Sequence, residues 1–305
     1  MFDQLFSLMG MMFLLIVIGF ILRRAGKITE QGKACLVDLI LYAILPCNII
    51  KAFSMEMEPG FWQKFAQLLC CAAGVQVIAM LVAHFGYRRI RDGEKQVFQY
   101  GTVCSNAGFM GNPLAEGVFG DLGLVYASIF LIPQRIVMWT AGVSFFSKEG
   151  DKKQVYKKIL THPCMVATYI GLLLLILQIP LPQVVERTVY SLSGCCTAMT
   201  MLYIGTILVD VEPKSLISRS QIYYAALRLL CIPLAVCVLC RAVGADHLVA
   251  GVCTLLSAAP AGSTTSILAA KYHGDEHSAA KAVVFTTALS VLTIPVWSFV
   301  LLSAL

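Results

Sequence analysis

The chain has 305 residues, of which 58% are hydrophobic and only 13% are charged. Because soluble domains carry about 25% charged residues, this composition excludes a soluble globular protein and predicts an all-α protein embedded in the lipid bilayer. The formal net charge of +6 does not indicate a nucleic-acid partner, since most basic residues are concentrated in alternate loops between apolar segments.

Apolar segments long enough to cross a bilayer recur from one end of the chain to the other. A transmembrane helix needs about 20 apolar residues. The sequence predicts ten such spans, numbered 1 to 10, at residues 5–22, 34–54, 65–86, 97–119, 122–146, 160–178, 189–209, 221–241, 247–271 and 281–303. No basic region precedes span 1 and no small-residue cleavage site follows it, so we expect a retained helix rather than a signal peptide.

The basic residues distinguish the two sides of the membrane. Lys and Arg cluster in the loops after spans 1, 3, 5, 7 and 9, whereas the other loops hold only Lys51, Lys64, Arg187 and Arg241. Cytoplasmic loops carry the Lys and Arg excess. The pattern therefore predicts a multi-pass plasma-membrane protein with both termini outside the cell.

The ten spans divide into two sets of five near Asp151, within the most basic loop. Residues 1–150 form the first set and residues 151–305 the second. Because five is odd, the second set enters the membrane in the opposite orientation, which predicts an inverted repeat of the kind found in many secondary transporters. Ile132-Pro133 in span 5 and Ile294-Pro295 in span 10, each followed by a tryptophan, support the repeat.

Span 4 is interrupted at Gly111, Asn112 and Pro113. Glycine permits unusual backbone angles, asparagine is a good N-cap, and proline suits the first position of a new helix. The sequence therefore predicts that one half-helix ends here and another begins.

Span 9 is interrupted at the matching place of the second repeat, by Pro260 and Gly262, with Ser263 or Thr264 available to cap the helix that follows. Two broken helices in corresponding positions are the best sequence indication of a transporter binding site. Both new N-termini are expected to face the middle of the membrane, where their N–H groups and positive dipole ends favour an anion. The alternative is a pair of ordinary proline kinks.

Ionisable residues inside the membrane are functional candidates. Arg135 lies in the middle of span 5 and can hold a carboxylate with two parallel hydrogen bonds; alternatively it snorkels or pairs with a backbone carbonyl. Arg228 in span 8 also either snorkels or functions. Glu116 either carries a coupling proton or faces the outer vestibule. Thr265 and Ser266, together with the hydroxyls of Ser263 and Thr264, either ligate Na⁺ or cap a helix.

The segment Asn106-Ala-Gly-Phe-Met-Gly-Asn-Pro113, the Ala259-Pro-Ala-Gly262 break and the division into five plus five spans resemble the auxin efflux carrier family. Its bacterial members include candidate malonate carriers. The resemblance implies a fold similar to bile acid sodium symporters and sodium/proton antiporters. Spans 1, 2, 6 and 7 would form a scaffold, which could also form a homodimer, and spans 3–5 and 8–10 a mobile transport domain with crossing helices 4 and 9.

The same resemblance implies that the substrate contacts Asn112, Pro113 and Pro260. One departure is the loop between spans 5 and 6, which has about a dozen residues here and is large and hydrophilic in the long plant carriers. The short loop favours a bacterial-type member in the inner membrane. The complete set of substrate-binding candidates is Asn106, Gly111, Asn112, Pro113, Arg135, Pro260, Gly262, Ser263 and Thr264.

The sequence thus predicts a secondary active transporter of small organic anions, such as malonate-like carboxylates, working by alternating access. The alternative on the same fold is a sodium- or proton-coupled cation exchanger, which needs carboxylates at the crossing, where the sequence offers Asn, Ser and Thr. An enzyme is not predicted, because the sequence has no Ser-Lys or paired Asp motif and no metal-binding His/Glu or Cys/His spacing. No cofactor is expected beyond a coupling Na⁺ or H⁺.

Overall fold

The computed structural model describes residues 2–54, 60–146, 161, 163–209, 217–272 and 274–304. These residues form helices, labelled α1 to α11, and no strand beyond one isolated β-bridge. The helices are α1 Phe2–Arg24, α2 Glu30–Phe53, α3 Phe61–Gly86, α4 Asp92–Val103, α5 Ala107–Val137, α6 Pro163–Leu177, α7 Gln183–Leu208, α8 Arg219–Ala242, α9 His247–Ser257, α10 Thr264–Lys271 and α11 Glu276–Ala304. After Val137 the helical chain continues through a π turn, Met138–Gly142, and a last turn, Val143–Phe146.

Six of the described helices, α2, α3, α5, α7, α8 and α11, are long and apolar enough to cross a membrane. Helices α6 and α9 are apolar but shorter. The prediction of an all-helical, multi-pass membrane protein is therefore confirmed, whereas the count of ten spans and their inverted repeat stay predictions.

Side-chain caps set the beginnings of several helices, among them α2, α8 and α9. The hydroxyl of Thr29 accepts from the N–H of Gly32 at 3.1 Å before α2. Ser218 caps α8 in the same way at 3.2 Å, and the Asp246 carboxylate caps α9 by accepting from the N–H of Leu248 at 3.0 Å. Each cap satisfies a backbone donor that the helix itself leaves without a partner.

Helix α5 contains a sharp turn at Gly120, which has φ 69° and ψ −162°. Only glycine adopts these angles without strain. The turn brings Gln134, near the end of α5, to 2.9 Å from Ser105, just before its beginning. The chain therefore doubles back at Gly120, which separates the end of predicted span 4 from span 5.

The interruption of span 4 does not lie at Gly111–Pro113, and the prediction of a break there is wrong. Gly111 and Asn112 have ordinary helical angles, so Asn112 is not an N-cap. The break lies about two helical turns earlier, at residues 104–106 between α4 and α5. In span 9 the chain is broken at residues 258–263, between α9 and α10, as predicted from Pro260 and Gly262.

The helix continues through Pro113 because a π turn precedes it. A proline lacks an N–H, and in an α-helix its ring collides with the carbonyl four residues earlier. In a π turn the hydrogen bonds reach five residues back, which widens the helix beside the ring. Among the described residues the same arrangement occurs three times: Ile40–Ile44 before Pro46, Ala107–Gly111 before Pro113, and Leu227–Cys231 before Pro233.

The two breaks, residues 104–106 and 258–263, pair with each other through their backbones, and we call this paired region the crossing. Ser105 and Ala261 form an antiparallel bridge. The N–H of Asn106 donates to the carbonyl of Pro260 at 2.8 Å, and the N–H of Gly262 donates to the carbonyl of Cys104 at 2.9 Å. Non-helical backbone in a membrane protein must be satisfied inside the protein, and these bonds satisfy it here.

Helices α1 and α7 meet backbone to backbone through two glycines. A Cβ on Gly19 would lie 2.1 Å from the carbonyl oxygen of Leu202, and one on Gly205 would lie 2.0 Å from that of Ile16. Small residues commonly permit such close approach between membrane helices. This contact joins spans 1 and 7, which the family resemblance assigns to the scaffold.

Candidate functional site

A cavity of about 80 Å³ lies beside the crossing. Leu41 and Leu45 of α2 and Leu131 of α5 form part of its apolar wall. Its polar lining comes from the crossing and from the second half of α5, through Ser105, Asn106, Gln134, Arg135, Ser263 and Thr264. The cavity therefore combines an apolar wall with a compact set of hydrogen-bonding groups.

The structure brings together about half of the candidate residues. Asn106, Arg135, Gly262, Ser263 and Thr264 line the cavity. The other candidates are outside its lining, namely Gly111, Asn112, Pro113, Glu116, Pro260, Thr265 and Ser266. Pro260 contributes its carbonyl to the crossing instead, and Asn112 is fully buried, with neither amide atom hydrogen-bonded to any described residue.

Two side chains that the sequence analysis did not single out hold the crossing in place. Gln134 donates from Nε2 to the carbonyl of Ser105 at 2.8 Å and accepts from the Ser105 hydroxyl at 2.9 Å. On the other segment, the hydroxyl oxygen of Thr286 accepts from the N–H of Ala261 at 3.2 Å. Gln134 could have been identified from the sequence, because it is a polar side chain in an otherwise apolar span.

Helices α5 and α10 both begin at the cavity. The carbonyl of Asn106 accepts from the N–H of Met110 at 2.9 Å, and that of Gly262 accepts from the N–H of Thr265 at 2.9 Å. The N–H groups of the first turn have no acceptor within a helix, and they carry the positive end of its dipole. The two helix starts therefore make this side of the cavity electropositive.

Arg135 adds a full positive charge to the same cavity. Its side chain is buried, and Nη1 has no hydrogen-bond partner among the described residues. Within that part of the chain, no Asp or Glu forms an ion pair with it. A buried charge without a partner is costly, so the cavity is suited to an anion that neutralises Arg135.

Glu116 forms its polar contacts outside the cavity. Its carboxylate forms a salt bridge with Lys51 at 3.0 Å and accepts from the amide of Asn48 at 3.4 Å. Asn48 also donates to Ser193 at 3.0 Å, so this polar cluster joins α2, α5 and α7. Glu116 is therefore a contact between helices in this conformation.

Removing Glu116 is expected to destabilise the protein more than removing Asp121. Lys51 is 3.0 Å from the Glu116 carboxylate and 3.1 Å from that of Asp121, but the Glu116 side chain is 26% exposed and the Asp121 side chain 63%. Solvent screens the exposed pair. We expect Asp121→Asn to cost less than about 0.5 kcal/mol and Glu116→Gln about 1–2 kcal/mol. Thermal unfolding in detergent measures both, and equal losses would contradict this ranking.

The hydroxyl cluster after the second break does not act as one group. Ser263 and Thr264 line the cavity, and Thr264 accepts from the hydroxyl of Tyr100 at 3.1 Å. Ser263 Oγ is buried without a hydrogen-bond partner among the described residues. Ser263 is therefore free to donate to a bound solute, whereas Thr265 and Ser266 lie outside the cavity lining.

Arg228 does not snorkel. Only 2% of its surface is exposed, and Nη1 donates to the carbonyl of Ser257 at 2.5 Å. Ser257 is the last residue of α9. Arg228 thus binds the end of the helix that leads into the crossing.

Comparisons with known proteins agree with a role in transport. The model of a family described as membrane transport protein matches residues 5–298. An uncharacterized transporter of Methanocaldococcus jannaschii is 22% identical, over 95% of this chain and 96% of its own. A protein of Rhizobium meliloti named "putative malonate transporter" is 21% identical, over 92% of this chain and 90% of its own. The chain therefore belongs to the membrane transport protein family, a family similar to the auxin efflux carriers.

Proposed function

We propose that this chain is a secondary active transporter of small organic anions, with carboxylates as the substrate class. The observation that carries the proposal is Arg135, a buried cation without an acidic partner among the described residues, in a cavity where two helices begin. A carboxylate is the natural partner of such a site, because Arg binds it through two charge-assisted hydrogen bonds.

The arrangement favours a short dicarboxylate over a monocarboxylate. One carboxylate can pair with Arg135, and a second can accept from the first-turn N–H groups of α5 or α10 and from the hydroxyl of Ser263. The small volume and the leucine wall leave little room for a long or bulky solute. The name of the Rhizobium meliloti relative is consistent with a substrate of the malonate type.

The cation exchanger is less well supported. Exchange of cations needs a carboxylate that can release its proton at the crossing, and no Asp or Glu is among the residues that line the described cavity. The charge of Arg135 and the two positive helix ends would also repel a bound cation. The site chemistry therefore favours the anion.

In this proposal the chain has ten spans in an inverted repeat and lies in the plasma membrane with both termini outside. Leu41, Leu45 and Cys164 belong to scaffold spans, whereas the other residues named in the cavity belong to the transport spans. Alternating access would then move the crossing relative to α2 and α6, with a homodimer formed through the scaffold. A coupling Na⁺ or H⁺ would involve Glu116, Thr265 or Ser266.

Uptake into proteoliposomes tests the proposal. We expect radiolabelled malonate to accumulate inside vesicles that contain the protein. Succinate and oxalate should compete more strongly than acetate, because only a dianion can bind Arg135 and the N–H groups of a helix start together. Sodium, proton and potential gradients are imposed one at a time to identify the driving force. Cation exchange without any carboxylate uptake would refute the proposal, and empty vesicles provide the background.

A further inference from the structure

At the end of α9, a side chain as well as the backbone donates to the last carbonyl groups of the helix. The carbonyls of Thr254 and Leu255 both accept from the N–H of Ala258, at 3.0 and 3.2 Å, and that of Leu256 accepts from Ala259 at 3.3 Å. The carbonyl of Ser257 accepts from Arg228. Arg228 therefore supplies the donor for the last carbonyl of the helix.

This helix end is a place where a cation is stabilised. A helix C-terminus carries a charge equivalent to about −0.5. In transporters with broken helices, the C-terminal ends of half-helices and unwound carbonyls coordinate the coupling Na⁺. Here the guanidinium of Arg228 lies at such a helix end and donates a hydrogen bond to the carbonyl oxygen of Ser257.

The counter-charge of Arg228 is the helix end itself. Within the described part of the chain, no Asp or Glu forms an ion pair with it. The titratable groups around it are the phenols of Tyr224 and Tyr87 and the thiol of Cys104. Because phenols and thiols are mostly neutral at pH 7 in an ordinary environment, the dipole of α9 is the main negative partner of Arg228.

A small void next to Arg228 offers further oxygen atoms. It measures about 10 Å³, and Gln76, Thr102, Gln134 and Ser257 are among the residues that line it. Gln76 Oε1 is buried without a hydrogen-bond partner among the described residues. If the guanidinium were removed, the carbonyl of Ser257 and the amide oxygen of Gln76 would provide hard oxygen ligands for a small cation.

We propose that Arg228 is a built-in cation that replaces a coupling Na⁺ at the end of α9, so that anion binding at the crossing does not require Na⁺. Gln134 lines both this void and the anion cavity, so the fixed charge and the anion site share one side chain. The statement about the anion rests on the proposed function, whereas the statement about the cation does not.

Thermal unfolding of the purified protein, without any substrate, tests the cation. For the wild type we expect the same Tm in the chlorides of sodium, potassium and N-methylglucamine at equal ionic strength. Arg228→Ala should have a lower Tm that rises by several degrees, with saturation, when methylguanidinium or Na⁺ is added. The matched control is Arg135→Ala, where the space lies beside helix N-termini and neither cation should stabilise the protein.

Several results would overturn the inference. A sodium-specific rise in the Tm of the wild type would show that Na⁺ already binds, and a folded Arg228→Ala variant indifferent to both cations would show that no cation site exists. If Arg228→Ala fails to fold, the dependence of the Tm on Na⁺ in the wild type and in Arg228→Lys tests the inference instead. Independence from Na⁺ in both, with Lys retaining the fold, supports the built-in cation; a need for Na⁺ in either one refutes it. Failure of carboxylate transport leaves these readouts unchanged.

Discussion

Replacing Arg135 by Gln is expected to weaken the binding of dicarboxylates about 10- to 100-fold while the protein stays folded. A hydrogen bond to a charged group contributes about 1.5–3 kcal/mol, and 1.4 kcal/mol corresponds to a tenfold change. Stability should not fall, because the variant no longer buries a guanidinium whose Nη1 has no partner among the described residues. Loss of binding with an intact fold separates a role in the site from a role in the structure.

The measurement is competition by monocarboxylates and dicarboxylates against labelled malonate uptake. In the variant the preference for dianions should disappear. Arg135→Lys should rescue poorly, because an ammonium lacks the planar fork of a guanidinium. Arg187→Gln, which removes an arginine from an exposed position, is the matched control and should leave uptake unchanged. An unchanged preference in Arg135→Gln would show that Arg135 does not select the substrate.

Replacing Gly262 by Ala is expected to disrupt the crossing. A Cβ at this position would lie 2.8 Å from the carbonyl oxygen of Cys104, the acceptor of the Gly262 N–H. The backbones would have to separate, which loses the bond and exposes both breaks. Overpacking and a lost buried hydrogen bond together should cost at least about 2 kcal/mol.

Gly108→Ala is the matched control for this substitution. Gly108 lines the same cavity and lies in the first turn of α5, but a Cβ on it would have nothing within 4 Å. Thermal unfolding in detergent should show a marked fall in Tm for Gly262→Ala and little change for Gly108→Ala. Equal Tm values for the two variants would mean that the close approach at Gly262 is not required.

The break in span 9 lies where its sequence predicts it, whereas the break in span 4 lies elsewhere, and the difference has a physical reason. Pro260 and Gly262 lie within the actual interruption, whereas Pro113 lies inside a helix that a π turn widens for it. The break at residues 104–106 contains neither Gly nor Pro. Pairing with the distant segment around Ala261 stabilises it, and a local pattern of residues does not reveal such a contact.

Residues of the cavity could be predicted from the sequence where their signal is local. Arg135 and Ser263 stand out as polar groups in apolar spans, and both line the cavity. Gln134 and Thr286 were missed because their partners are backbone atoms of the two breaks, whose spatial neighbours were unknown. The assignment of Asn112 to the binding site depended on the misplaced break, and Asn112 does not line the cavity.

The backbone pairing of Ser105 and Ala261 would also limit how the affinity for an anion changes during the proposed transport cycle. Because hydrogen bonds join the two breaks directly, the starts of α5 and α10 would keep a constant spacing if the crossing moved as the proposed alternating access requires. A bound anion would then meet the same N–H groups whichever side of the membrane the cavity faces. With similar affinity on both sides, the protein would load the anion at similar concentrations whichever side the cavity faces.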